Sequence, residues 1–293
     1  MIYLRSFDLV SESDETDFFW SWNYKTQMMC YDHDNIYPFR IFSQKGLERI
    51  DFAPITIFYG GNGSGKSTLL NIIAKKLSLL RVSPFNDTPL MSDYVSMCSC
   101  ILASRIPDES RIIASDDVFD YLLDLRAINN GVEGRRSELF KEYERFTDPN
   151  IHFQMRTMAE YDELKARNDA RKKTKSAYVT PRLNIGEVRG HSNGESAFRY
   201  FTEHIKENTL CLLDEPENSL SPKLQLDLLA FLSDSVRFFG CQLIISTHSP
   251  FLLSLPGAKI YDLDSSPVVT KAWTELENVR IYRDFFEERR KEF

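Results

Sequence analysis

Apolar positions along this chain follow two rhythms. Short unbroken runs of β-branched and aromatic residues predict buried strands at Ile55-Thr-Ile-Phe-Tyr59, Leu210-Cys-Leu-Leu213, Gln242-Leu-Ile-Ile245 and Ala258–Leu263. Helical spacing appears in Ala197, Phe198, Phe201 and Ile205, and again in Leu224, Leu228, Leu229, Phe231 and Leu232 after Pro222, a good first helical residue. Val118 to Leu125 carries the same spacing after a cap at Ser115 or Asp116. Residues 1–10 read as a first strand, 11–18 as an acidic loop and 19–59 as an antiparallel β region leading to the next turn. Residues 274–293 read as a charged terminal helix. Strands alternating with helices predict an α/β fold with a mostly parallel sheet, here with an antiparallel β subdomain and a helical lobe. The expected parts are 1–80 and 181–265 as two halves of one core, 81–180 as a charge-rich helical lobe, and 266–293 as the C-terminal helix.

Between the strand at 55–59 and the helix that follows lies Gly60-Gly61-Asn62-Gly63-Ser64-Gly65-Lys66-Ser67-Thr68, which fits G-x-x-x-x-G-K-[ST]. Glycines let the backbone N–H groups curl around a phosphate, and the helix N-terminus adds partial positive charge. Lys66 is placed to reach the β- and γ-phosphates, and the Ser67 hydroxyl to ligate Mg²⁺. Two more strands end in reactive groups, Asp214-Glu215 and His248. Ligands of open α/β sheets sit at the carboxyl ends of strands, so one pocket can collect all three. Asp214 suits Mg²⁺ coordination, Glu215 suits a proton acceptor for attacking water, and His248 a contact on the γ-phosphate side. Tyr37, Phe39 and Phe42 are candidates to stack on a base, although an aromatic residue in such a position is more often plain core.

Composition narrows the classes. At 293 residues with 42% hydrophobic residues the chain can bury a sizeable core, and no apolar run reaches the length of a membrane span. With no signal-like N-terminus and five cysteines in no metal spacing, a cytoplasmic protein is expected. The net charge of −7 argues against nucleic-acid binding by bulk electrostatics. Residues 165–175 nevertheless carry six positive charges in eleven residues, either a solvated helix face or a contact for nucleic-acid phosphates or an acidic partner.

The set of motifs resembles the ATPase head of ABC-type proteins, in the branch shared by SMC-like and overcoming-lysogeny-defect ATPases. Residues 60–68 match Walker A, and Leu210–Glu215 match Walker B with its adjacent glutamate. Ser192-Asn193-Gly194-Glu195 resembles the family signature with Asn193 in place of a glycine. Asp214-Glu-Pro-Glu-Asn-Ser-Leu-Ser-Pro222 resembles the overcoming-lysogeny-defect run, and His248 falls at the switch histidine. Ser192 precedes Asp214 by 22 residues, and His248 follows it by 34. Two departures stand out. Ser221 replaces the D-loop aspartate, and Gln154 is the sole glutamine between Lys66 and Ser192 that a Q-loop could use.

The resemblance implies ATP and Mg²⁺ as ligands and ATP hydrolysis as the activity. It implies that Ser192, Gly194 and Glu195 approach the γ-phosphate held by a second copy, in a head-to-tail homodimer that closes on ATP. The 126 positions from Lys66 to Ser192 are too few for an SMC coiled coil, and the 45 residues after His248 too few for an appended nuclease domain. The expectation is a stand-alone ATPase, of the kind with relatives in bacterial anti-phage defence, that regulates a partner effector such as a nuclease or toxin, or a DNA transaction. The alternatives are an ATP-dependent scaffold or sensor with incidental turnover, and the motor subunit of a transporter.

Overall fold

A computed structural model describes residues 1–20, 36–149, 153, 157, 160–183 and 192–293. They form two compact units. One comprises Met1–Phe119 with Ser192–Phe293, the other Asp120–His191.

The first unit is built on a six-stranded sheet in the order β5-β6-β7-β3-β8-β9: β3 (Ile55–Tyr59), β5 (Arg111–Ile113), β6 (Leu210–Asp214), β7 (Gln242–Ser246), β8 (Lys259–Asp262) and β9 (Val269–Lys271). All neighbours pair in parallel except β8 with β9. Parallel strands are covered on both faces, which is why the four central ones read as nearly unbroken apolar runs. Leu212, Leu213, Ile244 and Ile245 are fully buried, and each stabilises the fold by about 1.5–3 kcal/mol relative to exposure. A second sheet, β2-β1-β4, is antiparallel: β1 (Leu4–Asp8) lies between β2 (Arg49–Asp51) and β4 (Ser99–Leu102).

One buried polar side chain ties the two sheets. Gln242 opens β7 with no exposure, and its Oε1 accepts from Tyr3 N at 2.8 Å and Leu4 N at 2.9 Å. Its Nε2 donates to Leu4 O at 2.9 Å and Ala53 O at 3.3 Å. A primary amide offers both donor and acceptor, so one residue satisfies the inner edge of β1.

Several expectations are corrected. Residues 11–18 are mostly helix, not loop: α1 (Glu12–Trp20) follows Ser11, whose Oγ accepts from Asp14 N at 3.2 Å. The acids that suggested a loop, Glu12, Asp14 and Glu15, occupy the first turn, where they complement the helix dipole. Within 36–59 the antiparallel β region shrinks to β2, because residues 37–45 form turns and a short 3₁₀ segment, and β3 joins the parallel sheet. Residues 81–119 belong to the first unit and supply β4 and β5 along with α3 (Pro89–Met97), so the stretch expected to be a helical lobe is mixed. Both strands are short and half-polar, which hid them from the pattern.

Helices α2 (Lys66–Lys76) and α8 (Pro222–Phe238) pack on the parallel sheet, and α7 (Asn193–His204) packs on α8. Between α3 and α7 the chain forms α4 (Ser115–Thr147), α5 (Tyr161–Lys172) and α6 (Lys175–Val179). After β7 come α9 (Pro250–Leu253) and, beyond β9, α10 (Glu277–Glu288). The second unit has its own small core of Leu139, Phe146, Ala170, Tyr178 and Val179.

Candidate active site

The phosphate loop leaves β3 at Gly60 and enters α2 at Lys66. Two of its glycines are required by backbone geometry. Gly63 has φ +81° and Gly65 φ +100°, where a side chain is strained, and a Cβ on Gly65 would also sit 3.0 Å from Ile41 Cγ2. Gly65 precedes α2 without any side-chain cap, so the first N–H groups of the helix are left for another acceptor. A cavity of about 390 Å³ opens over them, lined by Asn62–Thr68, Tyr37, Ile41 and Glu215. An uncapped helix N-terminus below a cavity of this size fits a nucleotide phosphate.

The loop is braced from β8. Gly61 N donates to Asp264 Oδ2 at 2.8 Å. Lys45 Nζ donates to Ser64 O at 2.7 Å and Leu263 O at 2.8 Å. Burial holds the Lys45 ammonium below the ordinary lysine value, against the pull of Asp264 and Asp262. Neither residue was singled out from sequence. Asp264 lies 203 residues along the chain from Gly61, and Lys45 19 residues from Ser64.

The strand ends converge as expected. Ser67 Oγ donates to Asp214 Oδ1 at 3.0 Å, and Ser246 Oγ donates to the same carboxylate. Burial pushes the Asp214 carboxyl above its ordinary value, although the two hydroxyl donors oppose the shift. Lys66 is buried, with Nζ 2.8 Å from Gly60 O, 3.0 Å from Gly61 O and 3.3 Å from Glu215 Oε1. Glu215 has φ +47°, uncommon for a residue with a side chain. Its N–H is held by Ser246, donating to the carbonyl at 3.0 Å and the hydroxyl at 3.1 Å. Asn218 Nδ2 donates to Glu215 Oε2 at 3.1 Å. Burial alone would raise the Glu215 carboxyl, but the Asn218 amide, Lys66 and His248 outweigh it and hold the group below the ordinary carboxylate value. His248 Nδ1 lies 3.9 Å from Glu215 Oε1 and 3.6 Å from Glu217 Oε1.

A nucleotide's Mg²⁺ needs hard oxygen donors, usually one or two from protein. Ser67 Oγ and Asp214 Oδ1 are such a pair at the cavity edge, so the residues present fit the ion. Gly60, Gly61, Asn62, Gly63, Ser64, Gly65 and Thr68 form the loop around the cavity or its floor, and Tyr37 Oη donates to Thr68 Oγ1 at 3.1 Å. Tyr37 is the one base-stacking candidate on the cavity wall. Phe39 and Phe42 are buried in the main core, where rings pack on rings, and are excluded from that role.

The signature segment is a helix cap in this structure. Ser192 Oγ accepts from Glu195 N at 3.3 Å, and Glu195 Oε2 accepts from Ser192 N at 2.9 Å, a complete capping box on α7. A Cβ on Gly194 would meet Leu224 Cδ1 at 2.7 Å, a contact that a shift of the leucine side-chain end relieves. Ser221, at the D-loop position, caps α8 through Leu224 N. Gln154 lies outside the described residues.

In the second unit half of the six cations of the basic run pair with that unit's own acids. Arg167 pairs with Glu163 at 2.9 Å, Lys173 with Asp169 at 2.9 Å and Lys175 with Glu144 at 2.8 Å. Arg171 Nε donates to Phe146 O at 3.4 Å. These contacts favour a charge-laced helix surface over a phosphate-binding stripe.

Residues 193–253 match the family model described as AAA ATPase domain, and residues 35–77 match one described as AAA domain. No curated protein sequence matches significantly. Solved structures with similarity include an SMC head domain with an extended coiled coil bound to the C-terminal domain of ScpA, from Pyrococcus furiosus. That match has 14% identity and a TM-score of 0.40, covering 83% of this chain and 95% of that one. An inward-facing putative metal-chelate type ABC transporter matches at 16% identity and a TM-score of 0.36, covering 78% of each chain. A dimeric ATP-binding cassette bound to ADP and Pi matches at 15% identity and a TM-score of 0.35, covering 77% of this chain and 90% of that one. Among the described residues no helix is long and apolar enough to cross a membrane. The two AAA matches fall on the segments that carry the phosphate loop and the strand-end acids, so these two stretches of the chain are similar to AAA-type ATPase domains.

Proposed function

We propose that the protein binds ATP with Mg²⁺ over residues 60–68 and hydrolyses it to ADP and phosphate. The observation that carries the reading is the convergence of Lys66, Ser67, Asp214 and Glu215 at adjoining strand ends beside one cavity. Lys66 neutralises the β- and γ-phosphate oxygens when it leaves the Gly60 and Gly61 carbonyls. Ser67 and Asp214 would hold the Mg²⁺, which would supply charge neutralisation at the phosphates. Glu215 accepts a proton from the attacking water on its carboxylate, which is ionised at neutral pH, and His248 contacts the γ-phosphate side. Tyr37 offers its ring to the base.

The reading extends to two copies. The head holds one phosphate loop and one Ser192-Asn-Gly-Glu corner, and Ser192 and Glu195 are exposed at a helix N-terminus, a place where a partner's γ-phosphate is favoured. Two heads closing head to tail would complete two sites. Closure and reopening would then regulate a partner effector or a DNA transaction, with anti-phage defence as the biological setting proposed by resemblance.

The test is steady-state ATP turnover alongside gel filtration with MgATP. Wild type should hydrolyse ATP, and Glu215→Gln should bind it, turn over at least about a hundredfold more slowly and elute as a dimer. Turnover by Glu215→Gln at the wild-type rate would remove the assigned proton acceptor. A monomer under all nucleotide conditions would remove the two-copy cycle.

A further inference from the structure

Three residues beyond Asp214 lies Glu217, which sequence reading passed over. It is 6% exposed, yet its carboxylate organises the whole turn that carries His248. Glu217 Oε1 accepts from Thr247 Oγ1 at 2.7 Å, His248 N at 2.9 Å and Ser249 N at 3.2 Å. Three donors on one carboxylate oxygen make a directional anchor. Two other elements hold the same turn. Gln225 Oε1, on α8, accepts from Ser249 Oγ at 2.7 Å, and Asn278 Nδ2, on α10, donates to His248 O at 2.6 Å. The backbone on both sides of His248 is therefore fixed, while its side chain is about half exposed. The ring sits with Nδ1 facing two carboxylates, Glu217 at 3.6 Å and Glu215 at 3.9 Å.

We propose that Glu217 is a positioning residue that fixes the His248 turn and ring against Glu215. The proposal rests on the reading of Glu215 and His248 as parts of the hydrolytic site. A buried carboxylate is costly unless it is bonded, and all three bonds of Oε1 go to the next strand's end, while Oε2 is buried without a hydrogen-bond partner among the described residues. Glu217 thereby couples the loop after β6, which carries the proton acceptor, to the loop after β7, which carries the histidine. A shift of either loop is passed to the other through one oxygen. Only the imidazole is left to move when a γ-phosphate arrives. Glu217 and Asn218 act on different groups: Asn218 holds the Glu215 carboxylate, whereas the Glu217 carboxylate accepts hydrogen bonds from the histidine turn.

The test uses the full chain and the variants Glu217→Gln, His248→Ala and their double. Glutamine keeps the volume and one acceptor oxygen, so the fold should survive, and a thermal melt checks this. Glu217→Gln should lower kcat about ten- to a hundredfold with KM for ATP little changed. In the double variant the loss should equal that of His248→Ala alone, because both changes remove one unit. Wild-type kcat in Glu217→Gln, or losses that multiply, would overturn the proposal. A second measurement does not depend on turnover. In nitrogen-15 imidazole spectra without nucleotide, the His248 cross-peak should move in Glu217→Gln while that of His204, stacked on Tyr200 at 3.9 Å, stays in place. An unmoved His248 signal would overturn the positioning role. A wild-type protein without turnover would instead sink the ATPase reading and leave the imidazole spectra to decide this one.

Discussion

Lys66 Nζ stands 3.3 Å from Glu215 Oε1, so the residue assigned to the phosphates and the residue assigned to the water hold each other across the cavity. The ammonium is 4% exposed and is satisfied by this carboxylate and by two loop carbonyls. A triphosphate offers more negative charge in the same place, and its arrival would free Glu215 for the proton.

Removing that ammonium should therefore affect both binding and chemistry. Lys66→Ala is expected to weaken ATP binding at least about tenfold, a loss of about 1.4 kcal/mol, and to lower turnover by about 10²–10³. Titration with a fluorescent ATP analogue and a phosphate-release assay check the two effects. Unchanged affinity would place the triphosphate elsewhere.

Asp214 makes a stability prediction with a definite sign. Its carboxyl lies above the ordinary value in the folded protein because of burial. The folded state then binds the proton more tightly than the unfolded chain, and stability is lost as pH rises from the unfolded value through the raised one. At pH 7 the ionised, buried carboxylate is a cost. Asp214→Asn should raise the melting temperature of the nucleotide-free protein at pH 7 by about 2–4 °C, equivalent to about 1 kcal/mol. The gain should shrink as pH falls through the raised value toward the ordinary carboxylate value, and protection by MgATP should be lost. A lower melting temperature at pH 7 would contradict the assigned cost.

Ser192 has a structural job that can be separated from its proposed contact with a partner's phosphate. Ser192→Ala removes the cap of α7 and should cost about 1 kcal/mol. Ser192→Asp keeps a good capping acceptor and should preserve stability while placing a negative charge toward the incoming phosphate. Loss of ATP-dependent dimer in gel filtration, with a wild-type melt, is the expected result for Ser192→Asp. An intact dimer would leave Ser192 as a cap alone.

Gln242 is the buried polar joint between the two sheets. Gln242→Leu fills the space but strands Tyr3 N–H, Leu4 N–H and Leu4 C=O without water or partner. At about 1–3 kcal/mol for each buried unsatisfied group, a loss of about 3 kcal/mol or more is expected in urea unfolding. A loss under about 1 kcal/mol would show that β1 finds other partners.

The phosphate loop, the Asp214-Glu215 pair and His248 were legible because each is a contiguous motif at a strand end, and apolar runs marked the strands. The acidic stretch at 11–18 misled because first-turn acids serve a helix as readily as a loop. β4 and β5 were missed because short strands with exposed residues carry little apolar rhythm. Phe39 and Tyr37, two residues apart and both aromatic, could not be told apart by type. Packing buried one in the core and set the other beside the phosphate loop.

What the sequence determined by itself was local: the glycine turn that can adopt positive φ, the apolar strands and the reactive residues at their ends. Those properties belong to neighbouring residues and need no partner from afar. The tertiary structure decided which distant groups hold the site in shape. Lys45 and Asp264 brace the loop, Asn278 reaches the histidine turn from the last helix, and Glu217 ties two strand ends together. Such contacts depend on which strands lie side by side. That order, β6 beside β7 and β7 beside β3, is set by burying apolar faces over the whole chain rather than by any one segment.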